Sequence, residues 1–200
     1  MKDLSADAWN QFYQDANTPW DLSGPTPEFE RLLEEKQIPL GAVVLVPGGG
    51  RGHDAIRYAQ AGCEVDLVDF APQALQLSLE LAHKAAAKVY AYRQDFFVLP
   101  TLPYHRGRYD ILLEYTFFCA IDPALRPRYV EAVAQLLKPG GLLVGLFFPL
   151  ESEKEGPPFL VSREEVENLF RPYFELKIEA PQRSVKPRAG REFLGLFRRK

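Results

Sequence analysis

Short apolar runs alternate with amphipathic segments along most of the chain. Ala42–Val46 (AVVLV) is an unbroken apolar run ending at Pro47 and three glycines. A run of that length without polar alternation fits a strand buried on both faces. His53–Gln60 has helical spacing and stops at Gly62. Glu64–Phe70 reads as a second strand, Gln73–Lys88 as a long helix rich in alanine and leucine, and Val89–Tyr92 as a weak third strand. Tyr109–Tyr115 is a fourth strand. Arg126–Leu137 is a helix stopped by Lys138-Pro139-Gly140-Gly141, and Leu142–Phe148 is a fifth strand. Ser162–Phe170 is helical, and Phe174–Ala180 and Glu192–Arg198 close the chain as two strands joined by a loop.

Strands alternating with helices predict a parallel sheet with right-handed crossovers and helices on both faces. No helix separates the last two strands, so the end of the sheet is expected to be antiparallel, in a seven-stranded α/β fold. Residues 1–39 precede this pattern. They carry Trp9, Tyr13 and Trp20, then a turn-rich loop from Thr18 to Pro27, then a helix at Glu28–Lys36 with Phe29, Leu32 and Leu33 on one face. The expected organisation is one domain, with residues 1–39 as an extension and 40–200 as the core.

Composition narrows the classes. The chain has 200 residues, 46% of them hydrophobic and 26% charged, which supports a sizeable core. Its net charge is -3 and it has no long basic run, so nucleic acid is not an expected partner. The apolar stretch from Gly140 to Leu150 is interrupted by Gly145 and Pro149, and a membrane-spanning helix needs about 20 apolar residues. The N-terminus is polar and lacks the apolar centre of a signal peptide. Cys63 and Cys119 make neither a disulfide framework nor a thiolate metal site. A cytoplasmic protein is expected, with no metal and nothing requiring more than a monomer. One methionine, two cysteines and 17 prolines hint at a heat-tolerant source.

Chemistry concentrates after the first strand. VLVPGGGRGHD places Gly48, Gly50 and Gly52 where a ligand can approach the backbone without a Cβ in the way. The next helix points its N-terminal N–H groups into the same space, and open α/β sheets bind ligands at the carboxyl ends of their strands. The dinucleotide fingerprint G-x-G-x-x-G is broken, because its last position falls on His53. Asp69 lies about 20 residues after Gly48, at the end of the second strand. A carboxylate there can accept both hydroxyl hydrogens of a ribose. The pair predicts a nucleoside ligand without a pyrophosphate, S-adenosylmethionine being the obvious candidate. Asp66, in mid-strand, reads as solvent-facing or locally paired.

Several stretches together resemble S-adenosylmethionine-dependent methyltransferases, and more narrowly the halide/thiol branch of the thiopurine methyltransferase superfamily. They are TPWDLSGPTP (Thr18–Pro27), LVPGGGRGHD (Leu45–Asp54), LVDFAPQAL (Leu67–Leu75), YDILLEYTFFCAIDPALRPRY (Tyr109–Tyr129), LLKPGGLLV (Leu136–Val144), GPPF (Gly156–Phe159) and GREFLG (Gly190–Gly195). The resemblance implies a Rossmann-like class I methyltransferase fold with an N-terminal lid, taking S-adenosylmethionine and releasing S-adenosylhomocysteine. It implies that Trp9 and Trp20 belong to the lid, that Gly48 meets the methionine end and Asp69 the ribose, that Asp95 and the Phe96 backbone N–H meet the adenine edge, and that Tyr115 stands between cofactor and substrate. Gly50 belongs to the same loop. Where the family has a second tryptophan four residues after the first, this chain has Tyr13. Where it often has cysteine after the first glycine, this chain has Gly49, with no contact evidently altered.

Each residue also has a plainer reading. Trp9, Tyr13 and Trp20 could simply pack an extension onto the sheet edge; as a lid they would offer ring faces to a sulfonium cation. Asp95 could be a turn cap. Glu114 and Tyr115 point to opposite faces of a regular strand, so one of them lines a pocket, and at least one of Phe117 and Phe118 is core. His53 and Asp54 read as first-turn helix residues rather than a catalytic dyad. His83 lies on a helix face and His105 in a charged loop, and both cysteines read as buried. Arg183, Lys186, Arg188 and Arg191 read as a solvated hairpin loop, or as a device that concentrates anions.

The expected reaction is methyl transfer to a thiolate, hydrosulfide, thiocyanate or halide, in which Tyr115 orients the acceptor and no general base is needed. Alternatives are a larger aromatic or heterocyclic thiol, a selenium or tellurium species, a nucleoside-binding module without catalysis, and a nicotinamide dehydrogenase, against which the broken glycine spacing argues.

Overall fold

The computed structural model describes residues 3–151 and 156–200. Its strands are β1 (Val43–Pro47), β2 (Glu64–Asp69), β3 (Val89–Arg93), β4 (Tyr109–Tyr115), β5 (Leu137–Phe147), β6 (Phe174–Glu179) and β7 (Phe193–Arg199). They form one sheet in the order β3-β2-β1-β4-β5-β7-β6. The pairs β1–β2, β2–β3 and β4–β5 are parallel, and β7 is antiparallel to both β5 and β6. The expected antiparallel end is thus a single reversed strand seated between β5 and β6. A strand that returns without a crossover helix can pair only that way. Among the described residues no helix is long and apolar enough to cross a membrane.

The chain divides into two compact units, Met1–Phe96 and Phe97–Lys200. The first holds α1 (Ala6–Gln14), α2 (Pro27–Glu34), α3 (His53–Gln60) and α4 (Pro72–Lys84) with β1–β3. Four of the five β1 residues are buried, and so are all of β2 after Glu64, as their apolar runs require. Asp66 is 0% exposed, so the solvent-facing reading of it fails: Leu45 and Tyr90 flank it on the neighbouring strands. The α4 helix ends at Lys84, short of the expected Lys88, because Ala86 adopts a left-handed backbone and the Ala87 N–H turns back to the Ala82 carbonyl. The chain also has a helix, α1, where sequence patterning marked only aromatic anchors. Ser5 caps it, accepting from the Ala8 N–H, and Trp9, Phe12 and Tyr13 share a face at helical spacing.

The second unit holds β4–β7 with α5 (Arg126–Leu136) and α6 (Arg163–Phe170). β5 starts at Leu137, before the expected Leu142, and its register against β4 shifts between Tyr109 and Ile111. The Pro-Gly-Gly segment is an irregularity inside the strand rather than a loop before it. The core is aromatic: Phe118, Tyr129, Phe147, Phe170, Phe174 and Phe197 are all buried. Gly145 pairs with Gly195 across β5 and β7. Their missing side chains let the Phe147 and Phe197 rings stack at 5.6 Å. A Cβ on Gly195 would lie 2.7 Å from Phe197 Cζ and 2.8 Å from Phe147 Cε2. His105 was expected in a charged loop but is buried, with Nδ1 2.5 Å from the Tyr109 hydroxyl.

Overfilling a packed core costs about 1–3 kcal/mol. Gly195→Ala is therefore expected to lower unfolding free energy by about that much in urea titration; an unchanged midpoint would contradict the packing.

Candidate functional site

The β1 strand ends in a turn built by glycine. Gly48, Gly50 and Gly52 all have positive φ, at 56°, 54° and 78°, a region that side chains other than glycine's occupy with strain. Gly52 caps α3. Gly49 does matter for packing: a Cβ there would sit 2.6 Å from Leu67 Cγ, so the turn lies directly on β2.

Asp69, at the last position of β2, closes the turn. Its Oδ2 accepts from the Gly50 N–H at 3.0 Å and its Oδ1 from the Ala71 N–H at 2.9 Å. The carboxylate is 6% exposed. Burial pushes its pKa up to about 6, against the pull of these backbone donors. The Gln94 N–H donates to the Asp69 carbonyl at 3.2 Å, which brings the segment after β3 alongside. In that segment Asp95 is exposed and Phe96 buried.

The N-terminal segment folds onto this turn. Tyr13 packs with Ala71 and Ala74, and Trp20, Phe70 and Leu77 join them. The Tyr13 hydroxyl lies 2.8 Å from where a Gly50 Cβ would be, and it accepts from Trp20 Nε1 at 3.3 Å. Burial, then the Asp69 charge, hold the Tyr13 phenol well above its ordinary pKa. Trp9 meets Trp20 edge to face at 5.2 Å. Asn10 Oδ1 accepts from the Gln73 N–H at 2.8 Å, so α1 caps an α4 helix whose own N-cap, Ala71, cannot. Trp9, Tyr13 and Trp20 are therefore packed together in the N-terminal segment and, through Tyr13, placed at the glycine turn.

The Thr18–Pro27 loop is pinned from below. Asp21 lies 2.9 Å from Arg51 Nε and 3.1 Å from His53 Nε2. Thr26 donates to Asp54 twice, from its N–H at 2.7 Å and its hydroxyl at 2.8 Å. His53 and Asp54 are directed to different partners in the loop, as first-turn residues rather than a dyad. Their structural role as anchors for Asp21 and Thr26 was not legible, because it joins segments far apart along the chain.

A second cluster lies in the other unit, at the carboxyl end of β4. Glu114 is buried. Its Oε1 accepts from the Phe117 and Phe118 N–H groups at 3.0 and 2.8 Å, and its Oε2 from the Tyr129 hydroxyl at 2.5 Å. Burial pushes its pKa up to about 7 against those donors. It braces the turn in which Thr116 takes a positive φ of 65°. Phe118 is core and Phe117 half-buried. Tyr115 donates its hydroxyl hydrogen to Glu192 Oε2 at 2.9 Å. Its phenol is held above the ordinary pKa, mainly by burial, so it is no base near neutrality. The solvated-loop reading holds for Arg183 and Lys186, which are exposed, and is overturned for Arg188. Arg188 is 7% exposed, with its guanidinium 4.6 Å above the Tyr115 ring and 5.2 Å from that of Phe148. Neither Arg188 nor Glu192 was legible as a Tyr115 partner, because both lie far from it in sequence. Burial raises the Cys119 thiol to about 12, so it is no nucleophile at neutral pH.

The family model for thiopurine S-methyltransferase (TPMT) matches residues 4–199. The chain belongs to that family. It is an S-adenosylmethionine-dependent methyltransferase with the expected Rossmann-like fold. Probable thiol methyltransferase 2 of Arabidopsis thaliana is 34% identical over 203 residues, covering 100% of this chain and 88% of that protein. Thiocyanate methyltransferase 1 of Brassica oleracea is 32% identical over 195 residues, covering 96% and 84%. The 1,6-didemethyltoxoflavin-N1-methyltransferase of Burkholderia thailandensis is similar in fold, with a TM-score of 0.72 at 20% identity, covering 98% of this chain and 87% of that one.

Losing the carboxylate that receives both Thr26 donors costs about 1–3 kcal/mol for each one left buried and unmet. In this methyltransferase Asp54→Ala is expected to speed amide hydrogen exchange at Thr26 while the β-sheet amides stay protected. Unaltered exchange at Thr26 would show that the loop is held by other means.

Proposed function

We propose that the chain methylates a small thiol or anionic nucleophile: a thiolate, hydrosulfide, thiocyanate or halide. One observation carries the cofactor half of this reading. Asp69 is a buried carboxylate at the end of β2 whose two oxygens already organise the glycine turn. An ionised carboxyl has about four acceptor positions, so capacity remains for ribose hydroxyls. Gly50 leaves free the space a Cβ would fill beside the Tyr13 hydroxyl. These residues suit S-adenosylmethionine, which when bound supplies an electrophilic methyl on a sulfonium. Gly48 and Gly50 would meet its methionine end and Asp69 its ribose. Asp95 and the Phe96 N–H would meet its adenine, and the faces of Trp9, Tyr13 and Trp20 its cation.

The acceptor half is supported by the relatives that cover nearly all of the chain, a probable thiol methyltransferase and a thiocyanate methyltransferase. An acceptor that is anionic near neutral pH needs no proton removed. Tyr115, with its pKa raised and its hydrogen given to Glu192, suits positioning rather than proton transfer. A larger heterocyclic thiol is the second reading. It is favoured by the thiopurine S-methyltransferase of Xanthomonas campestris pv. campestris (strain 8004), 30% identical over 182 residues. A tritiated-methyl assay against sulfide, thiocyanate, iodide, thiophenol and a thiopurine separates the two; transfer to the thiopurine alone would reject the small-anion reading.

Asp69→Asn is expected to weaken S-adenosylhomocysteine binding at least tenfold in calorimetry, since hydrogen bonds to a charged group contribute about 1.5–3 kcal/mol. The carboxylate is ionised above its pKa of about 6 and protonates below it. Wild-type affinity should therefore fall as the pH drops through that value, and the Asn variant should not follow. Parallel pH profiles would remove the ribose assignment.

Tyr115→Phe is expected to lower kcat/KM about tenfold, for a lost hydrogen bond of about 1.4 kcal/mol, with S-adenosylhomocysteine affinity retained. Full activity in that variant would remove its positioning role.

A further inference from the structure

Glu114 and Tyr115 are neighbours on β4 and point to opposite faces of it. Tyr115 reaches the Glu192 carboxylate. Glu114 is turned into the core, at 1% exposure, and its hydrogen bonds run to the turn that follows and to α5. The first residue of that turn, Thr116, has a φ of 65°. A β-branched side chain occupies that region with strain, and such strain persists only where surrounding groups fix it. Here the Phe117 and Phe118 N–H groups, held on Oε1 at 3.0 and 2.8 Å, fix it. Oε2 takes the Tyr129 hydroxyl at 2.5 Å. Three donors on two oxygens call for an ionised carboxylate. A proton on Oε2 puts two hydrogens on the contact with Tyr129, so one group must turn away; a proton on Oε1 competes with the two amides.

We propose that Glu114 is a positioning residue for methyl transfer, holding Tyr115 in place through the Thr116 turn, and that proton uptake by Glu114 is an acid switch on turnover. The inference rests on the acceptor reading above, in which Tyr115 orients the acceptor. Burial lifts the Glu114 carboxyl to about 7 against the pull of its three donors. The Tyr129 phenol and the Cys119 thiol face it, and both are raised by burial and then by the Glu114 charge, so they stay neutral in this range. Arg188 and Arg126 act on Cys119 from the opposite sign, and Arg126 is paired with Glu165 of α6 at 2.6 Å. On β5 the residue beside Glu114 is Gly145, which has nothing to titrate. Because burial raises the folded pKa above the ordinary carboxyl value, the stability that Glu114 contributes is complete below that ordinary value and is lost as the pH rises through about 7. Turnover should rise over the same interval. The ionised form thus serves the site at the expense of the fold.

The test uses the full chain, with E114Q and Y129F beside the wild type. Thiocyanate is the acceptor, because it keeps its charge throughout, and S-adenosylmethionine is saturating, which removes the Asp69 contribution. Wild-type kcat/KM for thiocyanate should fall on the acid side with a midpoint near the Glu114 pKa of about 7, and the Phe117 and Phe118 amide resonances should titrate with the same midpoint. Glutamine keeps one oxygen for the amides and reverses the bond to Tyr129, as the protonated acid does. E114Q is therefore expected to lose about tenfold in kcat/KM on the alkaline side, to lose the acid limb, and to keep its S-adenosylhomocysteine affinity. Y129F removes a donor to the ionised form and should move the midpoint up by about one unit. A merely structural Glu114 would leave that midpoint in place. An E114Q enzyme with the wild-type profile, an unmoved midpoint in Y129F, or amides that titrate apart from turnover overturns the proposal while leaving the acceptor reading intact. A wild type that methylates no anion overturns both. Should the variants fail to fold, wild-type transfer without an acid limb shared by the two amides overturns the proposal.

Discussion

The Asp69 carboxylate takes one backbone N–H on each oxygen, from Gly50 and from Ala71. That clamp joins the end of β2 to the turn after β1 and to the start of α4. The positive φ angles of Gly48, Gly50 and Gly52 make the turn possible, and the absence of a side chain at Gly49 lets it lie on Leu67. Burial makes the clamp costly, since it raises the carboxyl pKa to about 6. The two backbone donors offset part of that cost and hold the carboxylate in one orientation.

The N-terminal segment depends on the same turn. Tyr13 reaches Gly50 because α1 is tied to α4 through Asn10, and because the Thr18–Pro27 loop is anchored at Asp21 and Thr26. Apolar packing and a few directed polar bonds share the work. The rings of Trp9, Phe12, Tyr13 and Trp20 supply area, and the polar bonds supply register.

The other unit solves a different problem, which is to place polar groups at the end of β4 over a core of rings. Glu114 satisfies the turn amides from inside, and Glu192, just before β7, orients Tyr115. Both are buried carboxylates: Glu114 has donors on both oxygens, and Glu192 has the Tyr115 hydroxyl on Oε2. The paired glycines Gly145 and Gly195 make the room that the rings need. Such a pairing costs backbone entropy and is offset by stacking.

From α2 onward the order of strands and helices, and with it the glycine turn and the acid at the end of β2, were legible in the sequence, because each rests on local periodicity or short spacing. The run of apolar residues at Val43–Pro47 and the position of Asp69 needed no knowledge of distant partners. The burial of Asp66 and His105, the anchoring of Asp21 and Thr26, and the placing of Arg188 on Tyr115 were decided only by tertiary structure. Asp66 looked exposable because its strand carries a charge in mid-run, yet strands on both sides bury it. Arg188 looked solvated because it sits in a run of charged loop residues, yet the loop folds it against rings contributed by distant parts of the chain. Local pattern reports what a residue prefers; which long-range partner satisfies it depends on how the chain closes, and no spacing along the chain encodes that.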